Sequence, residues 1–269
     1  MTSDEVWSIE DGGLTLVATH RVLRDVAHDI MAAFAGGAPL DRPVVLHVGA
    51  HRSQRLADRP GALQIGLQTE QMLDEAGNRL WKAFQPGRIV QMLEQYDLLL
   101  DLSEANAPAY GFLDAAARGR LRFGPFVFPA VPRAPRGPGQ GLLFVGAMNE
   151  RRAERLAALG ERVVTLPDRT FGPAVAEALE RCEGLLNLHF QEAVYSEYPR
   201  LLKAVLAGRA VWSEPLAAPL VEGVHYFAPS ARPAAAEVAA VQRAMAELFA
   251  TRFALRSFLR DEIARAAPG

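Results

Sequence analysis

Residues 142–166, LLFVGAMNERRAERLAALGERVVTL, decide the fold class. The apolar run at 142–146 is typical of a buried strand, Asn149 can cap a helix, and residues 150–159 carry a helical apolar stripe. The glycine that follows ends this helix, and residues 163–166 begin a second strand. The order strand, helix, strand predicts a parallel unit of an α/β sheet.

The same alternation extends in both directions from this stretch. In the second half, further strands are predicted at 185–189 and 210–213, and further helices at 173–182, 197–207, 234–249 and 251–266. The first half shows a looser version, with strands at 14–19, 44–48, 63–68, 97–102 and 126–128 and helices at 22–34, 86–95 and 104–118. Both halves are therefore predicted to be α/β.

A Pro/Gly-rich segment separates the two halves. Residues 129–141, PAVPRAPRGPGQG, carry four prolines and three glycines and cannot form a continuous helix or a central strand. We therefore predict a Rossmann-like domain at 1–128, a linker at 129–141 and a second Rossmann-like domain at 142–269. Such an arrangement is expected to bind ligands in a central cleft, at the carboxyl ends of the two sheets.

Charge and composition exclude several classes of protein. The 269 residues hold 29 Lys+Arg against 31 Asp+Glu, a net charge of −2 that offers no general field for a polyanion, so nucleic acid is not an expected partner. The acidic start MTSDEVWSIE is unlike a signal peptide, and no apolar run is long enough to span a membrane. We expect a cytoplasmic protein, with peripheral membrane contact left open. The single cysteine, Cys182, cannot form an internal disulfide and is expected in the core.

Polar side chains follow the strands of the second half, at the sheet edge where such folds bind ligands. The loop and helix start after residue 146 can hold a phosphate through backbone N–H groups, the helix dipole and guanidinium groups, although a capped surface helix would have the same sequence. Glu197 and Arg200 could likewise form only an exposed ion pair. The candidate donor-binding residues are Gly146, Asn149, Arg151, Arg152, Asn187, His189, Glu197, Arg200, Lys203, Ser213 and Glu214.

The first half carries a second set of polar residues at its strand ends. The candidate catalytic bases are His47, Glu70 and Asp101, and the candidate acceptor-binding residues are His51, Gln68, Ser103 and Asn106. Each of these alone is also consistent with a helix cap, as Ser103 illustrates. The six histidines include no H-E-x-x-H motif, so neither a metal nor another cofactor is predicted.

Five segments together resemble a family of small GT-B-fold glycosyltransferases and glycosyltransferase-like proteins found in bacterial surface-polysaccharide clusters. The segments are LQTEQ at 67–71, DLSEAN at 101–106, LLFVGAMNERRAERLAAL at 142–159, LLNLHF at 185–190 and SEYPRLLKAVLAGRAVWSE at 196–214. The resemblance implies a nucleotide-sugar donor held mainly by the second domain, a glycan or other hydroxyl acceptor held mainly by the first, and no obligatory metal.

The chain departs from the retaining enzymes of that family at one motif. Those enzymes carry two glutamates eight positions apart, whereas Glu197 is followed eight positions later by Val205, and Lys203 lies nearest the missing glutamate. The leading hypothesis is a metal-independent glycosyltransferase. A non-catalytic sugar-nucleotide or glycan-binding protein of the same fold is the first alternative. An unrelated two-domain binding protein of the periplasmic type is the second, and the lack of an export signal argues against it.

Overall fold

The computed structural model describes residues 6–52, 59–80, 84–167 and 169–266. The chain forms two compact units. The first contains the residues up to Ala130 together with those from Arg252 onward, and the second is Val131–Thr251. Within the described residues, no helix has the length and hydropathy that crossing a lipid bilayer requires.

The first unit is built on a six-stranded sheet. Its strands are β1 Trp7–Asp11, β2 Leu14–Ala18, β3 Val44–Val48, β4 Leu63–Gln68, β5 Leu98–Asp101 and β6 Leu121–Phe123. They lie side by side in chain order; β1 and β2 are antiparallel and every later pair is parallel. The unit is of the α/β class, as predicted. Its strand order shows no reversal, however, and so differs from the doubly wound order of a Rossmann-like domain.

Three α-helices accompany these strands: α1 Arg21–Phe34, α2 Pro86–Gln95 and α3 Ala115–Gly119. The single helix predicted at 104–118 is instead a 3-10 helix, Glu104–Tyr110, followed by α3. Pro108 lies inside the 3-10 helix and has no N–H group for an α-helical hydrogen bond. The strand predicted at 126–128 is also wrong, because Phe128 makes only an isolated bridge, with Ala254.

The second unit has a smaller, fully parallel sheet. Its strands are β7 Leu142–Phe144, β8 Val163–Thr165, β9 Gly184–Asn187 and β10 Ala210–Ser213, and its helices are α4 Glu150–Leu159, α5 Pro173–Arg181, α6 Tyr198–Ala207 and α7 Ala235–Arg252. The spatial order is β8-β7-β9-β10. The chain therefore reverses direction across the sheet between β7 and β9, as in a doubly wound fold. Trp212 and Leu142, both fully buried, lie in its core.

The last helix, α8 Leu255–Arg265, belongs to the first unit, which corrects its predicted place in the second domain. The physical reason is aromatic packing. The Phe126 ring stacks on Phe258 with centroids 4.7 Å apart, and Phe253 meets it edge-on at 5.6 Å. Arg122 adds a two-point ion pair with Glu262, at 2.7 and 2.9 Å.

The Pro/Gly-rich segment belongs to the second unit from Val131 onward and is hydrogen-bonded to it. The Arg136 N–H donates to the carbonyl of Gly208 at 2.9 Å, and the Gln140 N–H donates to the carbonyl of Arg181 at 3.0 Å. Gly139 lies so close to Cys182 that an added Cβ would be 2.2 Å from that carbonyl oxygen. The segment has no regular secondary structure up to β7, as its composition predicts.

Candidate anion site in the second unit

The reversal of strand order between β7 and β9 sets the position of the site. Ligands of such sheets bind outside the carboxyl ends of the two strands that flank the reversal. Asn149 joins the loops that leave these strands. Its Oδ1 accepts the Arg152 N–H at 2.9 Å as the N-cap of α4, and its Nδ2 donates to the carbonyl of Phe190 at 2.7 Å. The predicted helix cap is therefore confirmed, and it also fixes the neighbouring loop.

Gly146 lets two guanidinium groups approach the backbone. Its φ of +154° is a conformation that other residues rarely adopt. A Cβ built on Gly146 would lie 3.0 Å from Nη2 of Arg200 and 3.3 Å from Nη1 of Arg152. A side chain at this position would thus displace the arginines from the end of β7.

Arg152 is buried, with 1% of its surface exposed. Its guanidinium donates to the carbonyls of Ala147 and Leu188, each at 2.7 Å, and lies 3.6 Å from the Glu197 carboxylate. Burial, reinforced by the charge of Arg200, lowers the pKa of Arg152 to about 10. The side chain therefore stays charged at neutral pH and carries a fixed positive charge beneath the loop.

Arg200 and Glu197 form a close ion pair at the start of α6. Nη2 of Arg200 donates to Oε1 of Glu197 at 2.8 Å, and its Nη1 lies 2.6 Å from Oε2 and donates to Oδ1 of Asn187 at 2.9 Å. The two side chains are only 15% and 21% exposed. Burial acts to raise the pKa of Glu197, but the charge of Arg200 outweighs it together with smaller contributions, and the pKa is lowered. The pair is therefore part of a half-buried network. It is not the exposed surface ion pair that the sequence also allowed.

Arg151 is held by Glu214. Its two Nη atoms donate to the two carboxylate oxygens at 2.9 and 2.5 Å, and Glu214 also accepts the N–H of His189 at 2.7 Å. Burial acts to raise the pKa of Glu214, whereas the hydrogen bond from Arg151 lowers it, and the net shift is downward. The charge of Arg151 is therefore balanced within the protein.

The remaining polar residues of the second unit support this network. Asn187 donates to Oγ of Ser213 at 2.9 Å, which joins the ends of β9 and β10. The buried His189 lies with Nε2 2.9 Å from the carbonyl of Pro215, so this nitrogen carries the proton, and its Nδ1 is 4.0 Å from Glu197. Lys203 lies on α6, partly exposed, one turn after Arg200.

One residue of this site was missed in the sequence. Tyr195 packs its ring on His189 with centroids 4.2 Å apart, and its hydroxyl accepts the N–H of Phe190 at 2.9 Å. A tyrosine in a loop has no periodicity that marks it. Its partners become apparent only once the loop after β9 is folded. The structure thus connects the donor-binding candidates other than Lys203 in one network, in which Arg151, Arg152 and Arg200 face Glu197 and Glu214.

The candidates in the first unit divide into two groups. Asp101, Ser103 and Asn106 come together, but they satisfy one another: Asp101 accepts the Tyr110 hydroxyl at 2.6 Å, the Ser103 N–H at 2.9 Å and Nδ2 of Asn106 at 3.0 Å. Oδ1 of Asn106 accepts the N–H of Met72 at 2.8 Å. With 1% of its surface exposed, Asp101 ties two loops together, which corrects its expected role as a base. Burial raises its pKa to about 7.

His47 is also misplaced for catalysis. It is 2% exposed, its Nε2 lies 2.8 Å from Oε1 of Gln64, and its ring packs on Tyr96. By contrast, His51 and Glu70 meet at 3.4 Å and are partly accessible, with 9% and 19% of their side chains exposed. Their proposed roles at an acceptor therefore stay predictions.

Gln68 is fully buried at the end of β4, and its Oε1 accepts the N–H of Glu70 at 3.2 Å. Its amide thus shapes the loop that presents Glu70. Among the described residues, no three or more His, Cys, Asp or Glu side chains come together as metal ligands would.

The chain shares its fold with S. aureus TarM, a glycosyltransferase. A crystal structure of a TarM mutant in complex with fondaparinux, α-GlcNAc-glycerol and UDP matches with a TM-score of 0.52 and 10% sequence identity. The match covers 82% of this chain and 55% of that one. A GtfA/B complex bound to UDP and GlcNAc also matches at 10% identity, over 82% of this chain and 56% of that one, with a TM-score of 0.36.

The chain therefore spans little more than half the length of either protein. No protein-family model matches it, and no curated protein matches it in sequence. The similarity to TarM shows a shared mixed α/β fold with parallel sheets.

Proposed function

We propose that this protein is a glycosyltransferase that moves a sugar from a nucleotide-sugar donor to a glycan or other hydroxyl acceptor, without an obligatory metal. The observation that carries the proposal is the pair of guanidinium groups, Arg152 and Arg200, beside Gly146 at the reversal of the second sheet. With Arg151 balanced by Glu214, these two face the single carboxylate of Glu197, so one positive charge is in excess. An anion fits this charge.

The chemistry of glycosyl transfer requires such a charge. Negative charge develops on the nucleoside diphosphate as it leaves, and fixed cations and N–H dipoles can stabilise it. Three of the five N–H donors of Arg200 are used within the described chain, by Asn187, Leu188 and Glu197. Its partial exposure leaves it able to bind a ligand, whereas Arg152 is held beneath it. The N-terminus of α4 adds further N–H groups.

One further consideration supports a nucleotide as the ligand, and one feature sets the site apart from the family that the sequence resembles. The TarM structure, whose fold this chain shares, contains UDP. Val205 is fully buried at the position where the retaining enzymes carry a second glutamate, so the donor contacts must differ from theirs. Since a lost catalytic contact would leave binding intact, the second candidate function is a sugar-nucleotide-binding protein without transferase activity.

For the acceptor, Glu70 is the candidate base that the structure leaves accessible, and His51 is its neighbour. The deprotonation of a hydroxyl by Glu70 would serve an inverting transfer. Glu70→Gln keeps the size of the side chain and removes the base. It is expected to abolish inverting transfer while nucleotide binding is unchanged.

A thermal-shift titration with UDP, GDP, TDP, CDP and CMP tests the proposal. A nucleotide that binds the folded protein alone raises the midpoint of unfolding by mass action. We expect one of the diphosphates to do so and CMP to do so least. If none of the five shifts the midpoint at millimolar concentration, the proposal is wrong. Hydrolysis or transfer of the matching nucleotide sugar then separates the enzyme from the binding protein.

A further inference from the structure

A cavity of about 360 Å³ lies in the second unit, at the opposite edge of its sheet from the anion site. Glu183 and Arg209, which directly precede β9 and β10, line it, so it is at the amino ends of these strands. The Pro/Gly-rich segment and the start of α7 form its other walls, which are mostly apolar: Pro135, Pro138, Pro233, Val238 and Ala239. Its volume is in the range of sites for small molecules.

Arg209 brings an unbalanced charge to this cavity. It is 5% exposed, and its Nη atoms donate only to backbone carbonyls, those of Gly137 and Glu180. Its Nε has no hydrogen-bond partner in the described chain. The two carboxylates nearby are engaged elsewhere, since Glu180 pairs with Arg136 at 2.8 Å and Glu183 with Arg162 at 3.0 Å. The two carbonyls stabilise the buried guanidinium only in part, because they carry no full negative charge, and an anionic partner would therefore stabilise it further.

Gln242 brings an unused acceptor to the same cavity. It is 1% exposed, and its Nε2 donates to the carbonyl of Arg133 at 3.2 Å, which fixes the orientation of the amide. Its Oε1 has no hydrogen-bond partner in the part of the chain that the structure describes. A buried carbonyl oxygen without a donor is costly, so the site is matched to a ligand that supplies an O–H or N–H group.

We infer that this cavity binds a small carboxylate with an apolar body and one hydroxyl or N–H donor. The carboxylate pairs with Arg209, the donor group binds Oε1 of Gln242, and the body packs between Pro135 and Val238. The inference rests on the second unit alone and does not depend on the proposed glycosyl transfer.

The first test compares three compounds built on the same benzene ring by isothermal titration to the intact protein. 4-Hydroxybenzoate carries the charge and the donor, benzoate lacks the donor, and 4-hydroxybenzamide lacks the charge. We expect saturable binding of 4-hydroxybenzoate, and affinities for the other two that are lower by roughly 10-fold or more, as for the loss of one hydrogen bond to a buried partner. The absence of saturable 4-hydroxybenzoate binding at millimolar concentration overturns the inference.

Two pairs of measurements place the ligand in the cavity. Ala239→Phe fills the cavity from α7, whereas Ala240→Phe adds the same ring to an exposed neighbour that does not line it. We expect only the first to abolish binding. Gln242→Met keeps the size of the side chain and removes the acceptor. It should reduce 4-hydroxybenzoate binding to the level of benzoate and leave benzoate unchanged. Equal effects of the two phenylalanine variants, or equal losses for both compounds in Gln242→Met, overturn the inference, with circular dichroism confirming that each variant is folded.

Discussion

Arg151 and Glu214 meet through two parallel hydrogen bonds, 2.9 and 2.5 Å long, across 63 positions of the chain. This pair joins the first turn of α4 to the residue that follows β10. It separates the three arginines of the anion site by role: Arg151 is balanced by Glu214, Arg152 is buried, and Arg200 is partly exposed and shares Glu197 with Arg152.

Arg200→Ala is expected to weaken binding of the nucleoside diphosphate by roughly 30- to 150-fold. The loss corresponds to one charge-assisted hydrogen bond, about 2 to 3 kcal/mol. Titration calorimetry with the nucleotide found in the thermal-shift screen measures it. Arg155→Ala is the matched control. The Arg155 side chain is 58% exposed, and its guanidinium comes no closer than 3.7 Å to the Glu214 carboxylate. If both variants bind as tightly as the wild type, Arg200 has no role at the ligand.

Arg152→Ala is expected to lower the free energy of unfolding by about 3 kcal/mol or more. The substitution removes one donor each from the backbone carbonyls of Ala147, Leu188 and His189, and it leaves a cavity where a buried side chain packed. Urea denaturation followed by circular dichroism measures the change. Arg155→Ala should stay within about 0.5 kcal/mol of the wild type, as is usual at the surface. Similar values for the two variants would mean that Arg152 is not the anchor of the loop.

Gly146→Ala is expected to destabilise the protein by roughly 1 to 3 kcal/mol and to weaken nucleotide binding. The backbone at φ +154° is strained for alanine, and the new methyl group would crowd Arg200. Gly87→Ala in α2 is the control, since that glycine has no strained φ and open space around its Cα. Gly87→Ala should leave the free energy of unfolding equal to that of the wild type or slightly higher. The result that would count against us is a Gly146→Ala protein with wild-type stability and affinity.

The contribution of Asp101 to the free energy of unfolding should fall as the pH rises from about 4 to 7. Its pKa is raised to about 7 in the folded protein from 3.8, so the folded state holds a proton that the unfolded state has released. Glu197 and Glu214 act in the opposite direction, because their pKa values are lowered and their contribution is lost as the pH falls. Asp101→Asn isolates the first effect.

The measurement is the free energy of unfolding of the wild type and of Asp101→Asn at several pH values from 5 to 8. The difference, wild type minus variant, is expected to decrease with increasing pH, because the asparagine does not titrate. Parallel curves over this range would show that Asp101 is ionised throughout in the folded protein.

Transferase activity is expected to survive EDTA. The positive charges that face the proposed diphosphate are guanidinium groups, which a chelator does not remove. Assays with and without EDTA, and with added Mn²⁺, check this directly. Complete loss of activity that only Mn²⁺ restores would show that a metal ion supplies part of the charge.

Local pattern was sufficient for most elements of the fold. The strands β3, β4 and β10 and the helices α2 and α4 have the predicted bounds to the residue, because apolar periodicity and caps are local properties. By contrast, β6 is three residues long and owes its place to pairing with β5, which no local pattern reports. The assignment of α8 to the first unit likewise depends on aromatic contacts more than 120 positions apart.

The site was predictable to a similar degree. Residues after consecutive parallel strands must meet at one edge, and for this reason Asn187, His189 and Ser213 could be grouped from sequence. The pairing of Arg151 with Glu214 could not be foreseen, because it depends on side chains from distant strands. The burial of Asp101 depends on the 3-10 helix that brings Tyr110 over it, a geometry that the helical pattern did not predict.

The discontinuous composition of the first unit has a consequence for synthesis. Phe126 packs on Phe253 and Phe258, and Arg122 pairs with Glu262, so these contacts form only after the end of the chain is made. The second unit, by contrast, is one uninterrupted stretch. A ribosome makes the chain from its amino end, and domains generally fold as units once complete. The second unit is therefore complete first, while the earlier sheet is still missing its last helix. The sheet that is encoded second can thus acquire its full set of contacts before the sheet that is encoded first.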